Sequence, residues 1–152
     1  MNNIKKLLLP FLLIIIFSFN TSCSTNNMKP EDFISIVKTH QNIPIVLYQE
    51  ISNPSIESIN LFFDYLEKLT NKNKFYFIVD LSDPEPTNAK IRALLKYRYK
   101  KLEDYIIITH VYIGTNFLLK IAVKFLAASI GIHEFKISKS IPTSIELIVK
   151  EN

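Results

Sequence analysis

Hydrophobic and polar residues alternate along this chain in two periods, which predict strands and helices in turn. Phe62, Phe63 and Leu66 recur at helical spacing, whereas Phe75 to Leu81 is a nearly continuous apolar run of strand length. Such a run is typical of a strand covered on both faces. In chain order we predict strands at 33–38 and 43–51, a helix at 54–70, a strand at 75–81, a helix at 87–102, a strand at 105–113, a helix between Thr115 and Gly131, a strand at 132–137 and a helix at 140–149.

Polar segments between these elements supply turns and caps. His40-Gln41-Asn42 predicts the turn of a β-hairpin, and Asn53 predicts an N-cap with Pro54 at the first helical position. The apolar face of the first helix is predicted to comprise Ile56, Ile59, Phe62, Phe63, Leu66 and Leu69. The order of elements predicts one α/β domain at 31–152, with a mixed sheet of about five strands and about four helices.

The N-terminal segment has the pattern of an export signal. Lys5 and Lys6 precede an apolar run from Leu7 to Phe19. This run is shorter than the ~20 residues that a helix needs to cross a bilayer core. We therefore expect a cleaved signal peptide, residues 1–22, rather than a permanent membrane span.

The chain has a single cysteine, Cys23, at the end of this apolar segment. Thr21-Ser22-Cys23 resembles the lipobox of bacterial lipoproteins and departs from it at Asn20, where Leu is usual. The resemblance implies that Cys23 becomes the N-terminus and carries acyl chains, palmitate among them, which hold the protein at a membrane. Residues 23–30 then form a polar tether. In such lipoproteins an Asp directly after the cysteine commonly retains the protein at the inner membrane, so Ser24 at that position implies the outer membrane by the same resemblance. The alternative is an incidental free thiol.

Composition narrows the class of partner. Among the 152 residues are 18 lysines and arginines, and without Lys5 and Lys6 there remain 16 against 14 acidic residues. This small excess, together with export, disfavours nucleic acid as a partner. His40, His110 and His133 are too far apart in sequence to predict a metal site. We expect neither a metal nor a cofactor.

The predicted domain resembles the STAS-like domains, the superfamily of anti-sigma-factor antagonists and related lipid-binding domains. The resemblance is carried by the hairpin, by the strand ending in Phe77-Ile78-Val79-Asp80-Leu81-Ser82, and by Gly114-Thr115-Asn116 before a helix. Switch members of that superfamily have a phosphorylated serine where the helix after the central strand begins. Here that stretch reads Pro84-Glu85-Pro86-Thr87-Asn88-Ala89 and lacks such a serine, so we reject a phosphorylation switch.

Two polar segments are candidate ligand sites. Asp80, Ser82 and Asp83 follow a central strand, at the edge where open α/β sheets bind ligands. Capping of the second helix by Ser82 or Asp83 is the simpler interpretation. Thr115 and Asn116 begin the third predicted helix, where free backbone N–H groups can hold an anion or form an ordinary cap.

The second predicted helix is strongly basic. Its outer face carries Lys90, Arg92, Lys96, Lys100 and Lys101. A solvated face is the ordinary interpretation, and contact with anionic headgroups or an acidic partner is the alternative. Arg98 falls inside the apolar stripe. We expect its stem to extend to solvent, or its head to pair with Glu103 or Asp104, or with a ligand carboxylate or phosphate.

The sequence has no recognisable catalytic set, since it contains neither a nucleophile elbow nor a phosphate loop. We therefore expect a non-enzymatic lipoprotein of the cell envelope that acts as a binding or interaction module, with a membrane and an envelope protein or lipid as partners. One alternative is a carrier of a lipid or other apolar ligand, held between the sheet and the third helix. Another is an envelope hydrolase that uses Asp80 or Asp83.

Overall fold

A five-stranded mixed sheet forms the centre of the fold. The structure is a computed structural model, and it describes residues 29–51, 53–82, 88–114, 123–124, 127–128 and 135–151. The strands are β1 (Ile34–His40), β2 (Ile43–Gln49), β3 (Phe75–Asp80), β4 (Ile106–Tyr112) and β5 (Phe135–Ser138), and the helices are α1 (Ile56–Thr70), α2 (Ala89–Leu102) and α3 (Ile141–Glu151). The predicted α/β class, the single domain and the five strands are confirmed.

The strands lie side by side in chain order. β1 and β2 form the predicted antiparallel hairpin, and β2 to β5 run parallel. Gln41 and Asn42 both have positive φ, at 50° and 64°, as the tight two-residue turn of a hairpin requires. Because crossovers between parallel strands are right-handed, α1 and α2 are expected on the same face of the sheet. We call this the helix face.

Alternating side chains of the sheet form two cores. On the helix face, Val46 and Phe77 pack with Phe62 of α1. On the opposite face, Ile45 and Ile78 pack with Ile148 of α3. β3 is therefore covered on both faces, which confirms the interpretation of its apolar run.

The start of α1 differs from the prediction. Asn53 has φ 52°, in the left-handed region, whereas an N-cap residue needs extended backbone. Ser55 takes that role: its Oγ accepts a hydrogen bond from the Ser58 N–H at 3.1 Å, and Ser58 Oγ accepts one from the Ser55 N–H at 2.9 Å. The reciprocal capping box moves the helix start to Ile56. Ile56 is 46% exposed, so its predicted place on the apolar face is wrong.

The start of α2 differs as well. Asn88 is its N-cap, with Oδ1 accepting a hydrogen bond from the Ile91 N–H at 3.0 Å, so Ser82 does not cap this helix. Asp83 lies outside the described residues. The described part contains three complete helices where about four were predicted, because the third predicted helix falls largely on residues outside it. Of that segment, 123–124 and 127–128 are described, and they are helical.

Candidate functional site

The carboxyl ends of β2, β3 and β4 meet at one edge of the sheet. The Glu50 N–H donates to the Asp80 carbonyl at 3.1 Å, and the Leu81 N–H donates to the Tyr112 carbonyl at 2.7 Å. The Asp80 carboxylate turns back on its own chain, since Oδ1 accepts a hydrogen bond from the Ser82 N–H at 2.9 Å. Open α/β sheets bind ligands at this edge.

Gly114 ends β4 next to this turn. Its φ is 61°, in the left-handed region that favours glycine, and a Cβ at this position would lie 3.8 Å from Ser82 Cβ. That distance is an ordinary contact, so the backbone conformation is the reason for a glycine here. The structure thus brings Asp80 and Ser82 together beside Gly114. Asp83, Thr115, Asn116 and Cys23 lie outside the described residues.

Directly behind this edge, the helix face holds an apolar cavity of about 100 Å³. It lies between the sheet, α1, α2 and the described residues of the following helical segment. Its lining comprises Glu50, Phe63, Phe77, Val79, Leu81, Leu95, Tyr99, Thr109, Val111, Val123 and Ala127. Eight of these eleven side chains are purely apolar, as is typical of sites for small organic ligands.

Three polar side chains line the same cavity. The hydroxyls of Tyr99 and Thr109 form a hydrogen bond of 2.8 Å. Burial raises the pKa of Tyr99 above its usual value of 10.0, and the hydrogen bond to Thr109 offsets part of that rise. Glu50 is half-buried at the end of β2, and its charge adds to burial in raising the pKa of Tyr48. The cavity can therefore bind an apolar group and orient a polar atom through a hydroxyl pair and a carboxylate.

Arg98 occupies the inner side of α2, as the helical projection predicts. Its side chain is 11% exposed and its Nη2 lies 2.5 Å from Asp64 Oδ1 and 3.2 Å from Glu67 Oε1. The guanidinium carbon also lies 5.5 Å from the ring centroid of Phe63. The partners therefore belong to α1, and the predicted pairing with Glu103 or Asp104 is wrong.

The reason for that error is helix packing. Asp64 and Glu67 are three residues apart on α1, so they share one face, and that face meets α2. A pairing within the same segment, with Glu103 or Asp104, would instead require Arg98 to turn away from α1. The i, i+3 acids on an amphipathic helix were the signal in the sequence that could have identified these partners.

The predicted basic surface is present on the outer side of α2. All five of its side chains are exposed, namely Lys90, Arg92, Lys96, Lys100 and Lys101. Tyr97 is 56% exposed among them, with the Lys101 Nζ 4.6 Å from its ring centroid.

Sequence reasoning missed Glu50, Tyr99 and Thr109. Glu50 follows an apolar strand just as Asp80 does, so the rule that identified Asp80 applies to it equally. Nothing in the sequence marks the pairing of Tyr99 with Thr109, because it depends on how α2 lies against β4.

The opposite face of the sheet holds a buried histidine. The ring Nδ1 of His110 lies 3.1 Å from Ser138 Oγ, and both side chains are buried. In the part of the chain that the structure describes, no group of three or more His, Cys, Asp or Glu side chains is placed to hold a metal ion. No helix within that part is long and apolar enough to cross a membrane. No protein-family model matches this chain, and no curated protein matches it significantly.

Proposed function

We propose that this chain is a lipoprotein of the bacterial cell envelope, held at a membrane through an acylated Cys23, whose STAS-like α/β domain is a non-catalytic binding module. The anchor and the STAS-like assignment rest on the sequence patterns, which also favour the outer membrane. The binding role is carried by one observation, the apolar cavity of about 100 Å³ behind the carboxyl edge of the sheet.

The size of the cavity sets the class of ligand. A cavity of about 150 Å³ lined by Leu, Ile and Phe side chains binds benzene or xenon. The present cavity is somewhat smaller, so it has room for a small apolar group rather than for a complete lipid. Tyr99, Thr109 and Glu50 supply polar atoms at its wall. A partner that inserts one apolar group and offers one polar atom beside it fits this site best.

A carrier of a lipid or other apolar ligand is the second candidate. The apolar lining favours it, because eight of the eleven side chains around the cavity carry no polar atom. A carrier must enclose most of its ligand, however, and that requires α2 or the following helical segment to move outward. The two candidates thus differ in whether a ligand remains bound after the membrane is removed.

A native mass spectrum of the protein purified from its own membranes tests both candidates. We expect a diacylated or triacylated Cys23 terminus with no further mass. A stoichiometric lipid that survives detergent removal identifies the carrier instead. An unacylated N-terminus contradicts the anchor.

Benzene or xenon binding tests the cavity itself. We expect benzene to raise the melting temperature of the natural protein and to lose that effect in Leu95→Phe, because Leu95 lines the cavity. Leu94→Phe is the matched control, since Leu94 is also a half-buried residue of α2 and does not line the cavity. Equal benzene effects in both variants contradict binding at this site.

A further inference from the structure

The outer side of α2 carries a stripe of lysines around one exposed tyrosine. Residues on this stripe recur at three- and four-residue spacing, and we call them the basic stripe: Lys90, Ala93, Lys96, Tyr97, Lys100 and Lys101. All six are exposed. The helix from Ala89 to Leu102 contains no acidic residue, so nothing within it offsets this charge.

Four acidic residues lie near α2: Glu103 and Asp104 directly follow its C-terminus and are exposed, whereas Asp64 and Glu67 belong to α1. Asp64 and Glu67 of α1 are bound to Arg98, on the inner side of the helix. Among the described residues, no carboxylate lies within ion-pair distance of the four lysines of the stripe. Within that part of the chain, the stripe therefore presents four lysines that no ion pair neutralises to whatever lies outside α2.

Tyr97 gives this surface an amphipathic character. Its ring is 56% exposed and lies under the Lys101 ammonium group, 4.6 Å from ring centroid to Nζ. Tyrosine is favoured where an apolar surface meets water, as at the headgroup level of a bilayer. A tyrosine flanked by lysines fits a surface that is both negatively charged and partly apolar.

The start of the domain lies on the same side of the sheet. The Phe33 ring contacts Phe62 of α1 at 5.6 Å between centroids, so the chain enters beside α1, and α1 packs next to α2. Seven residues, 24–30, connect Cys23 to the domain, and a fully extended chain of that length spans at most about 25 Å.

A tether of this length keeps α1 and α2 close to any membrane that holds Cys23. We propose that the basic stripe contacts the anionic lipid headgroups of that membrane and so fixes the orientation of the domain. This inference rests on the proposed anchoring. Each lysine close to an anionic surface increases the equilibrium constant for binding to that surface about fivefold.

Lysine acetylation on vesicles tests the inference. The acylated protein from its own membranes is reconstituted into vesicles of phosphatidylcholine alone, or of phosphatidylcholine with phosphatidylglycerol, and the acetylation rate of each lysine is read by mass spectrometry. On the anionic vesicles we expect the four stripe lysines, Lys90, Lys96, Lys100 and Lys101, to react at least about fivefold more slowly. Lys150 of α3, on the opposite face of the sheet, should react equally on both. High salt should remove the difference.

A charge-matched pair of variants separates the stripe from net charge. The stripe variant combines Lys96→Gln, Lys100→Gln and Lys101→Gln, and the control combines Lys38→Gln, Lys139→Gln and Lys150→Gln. All six lysines are exposed, so both variants are expected to fold. Lys90 remains as the reporter in each. We expect Lys90 to lose its protection on anionic vesicles in the stripe variant and to keep it in the control.

The outcomes separate this inference from the anchor. Equal acetylation of stripe lysines on neutral and anionic vesicles, with an acylated Cys23, overturns the stripe contact and leaves the anchor intact. Protection in native membranes but on neither kind of vesicle also overturns it, and identifies an acidic protein as the partner. An unacylated chain contradicts the anchor, and flotation with the same vesicles then tests the stripe by the same lysine pattern.

Discussion

Two neighbouring regions of the helix face are packed differently. Around α1, the rings of Phe33, Tyr48, Phe62 and Phe77 contact one another at centroid distances of 5.6 to 6.4 Å. We call these four residues the aromatic cluster. The cavity beside them measures only about 20 Å³. Around α2, the cavity of about 100 Å³ remains open between the helix and the sheet.

The difference follows from the size of the side chains on the two parts of the sheet. Aromatic rings fill the space under α1, whereas the sheet side of the larger cavity includes the smaller Val79 and Val111. Since both regions share one sheet face, close packing at one end can hold the fold while the other end keeps room for a ligand group.

The largest expected effect comes from truncating the aromatic cluster. Phe62 is 1% exposed, so Phe62→Ala should cost about 3 to 5 kcal/mol of the free energy of unfolding. Leu95→Ala should cost only about 1 to 2 kcal/mol, because Leu95 is half-buried and already borders a cavity. Urea unfolding of both variants measures the two costs. Similar costs would contradict the difference in packing.

The ion pair between α1 and α2 gives the next effect. Removing both carboxylates, by Asp64→Asn with Glu67→Gln, leaves the Arg98 guanidinium without an acidic partner. The change should cost about 2 kcal/mol, less than for a fully buried pair, because Asp64 is 67% exposed. Arg98→Met should change stability by less than about 1 kcal/mol, because the acids can then be solvated and the stem still packs. Urea unfolding measures the free energy of unfolding of both variants. A larger loss of stability in Arg98→Met than in the double variant would contradict this account.

The sequence predicted the sheet well because each strand carries its own signal. The β3 run and the hairpin turn at Gln41 and Asn42 need no information from distant residues. The predicted start of α1 is wrong because Ser55, two residues beyond Asn53, forms a reciprocal capping box with Ser58.

The candidate site was harder to predict, because it depends on contacts between elements. The edge containing Asp80 follows from the strand order alone. The cavity behind it depends on the distance between α2 and β4, which no local pattern encodes. For the same reason, helical periodicity predicted the basic outer face of α2, whereas it did not predict the partners of Arg98 on α1.

Adding one methylene group to a buried valine tests whether the space beside that side chain is filled or open. Val46 and Val111 both lie on strands of the helix face and are 0% and 5% exposed, but only Val111 lines the cavity. Val46→Ile should cost about 1 to 3 kcal/mol through overpacking, whereas Val111→Ile should cost less than about 0.5 kcal/mol or stabilise. Thermal unfolding measures both, and an equal loss in the two variants would contradict an open cavity.

The smallest effect distinguishes a tyrosine of the aromatic cluster from one of the cavity. Burial raises the pKa of Tyr48, with the charge of Glu50 adding to it, and burial also raises the pKa of Tyr99. A raised pKa in the folded state means that the stabilising contribution is complete below the usual value of 10.0 and is lost as pH rises above it. The protein should therefore unfold in alkali, and Tyr48→Phe should shift that transition to higher pH. Tyr99→Phe should shift it less, because the hydrogen bond with Thr109 offsets part of the rise in the pKa of Tyr99.

Alkaline titration followed by circular dichroism measures both shifts, and a larger shift in Tyr99→Phe would show that the cavity, not the cluster, is the drier of the two regions.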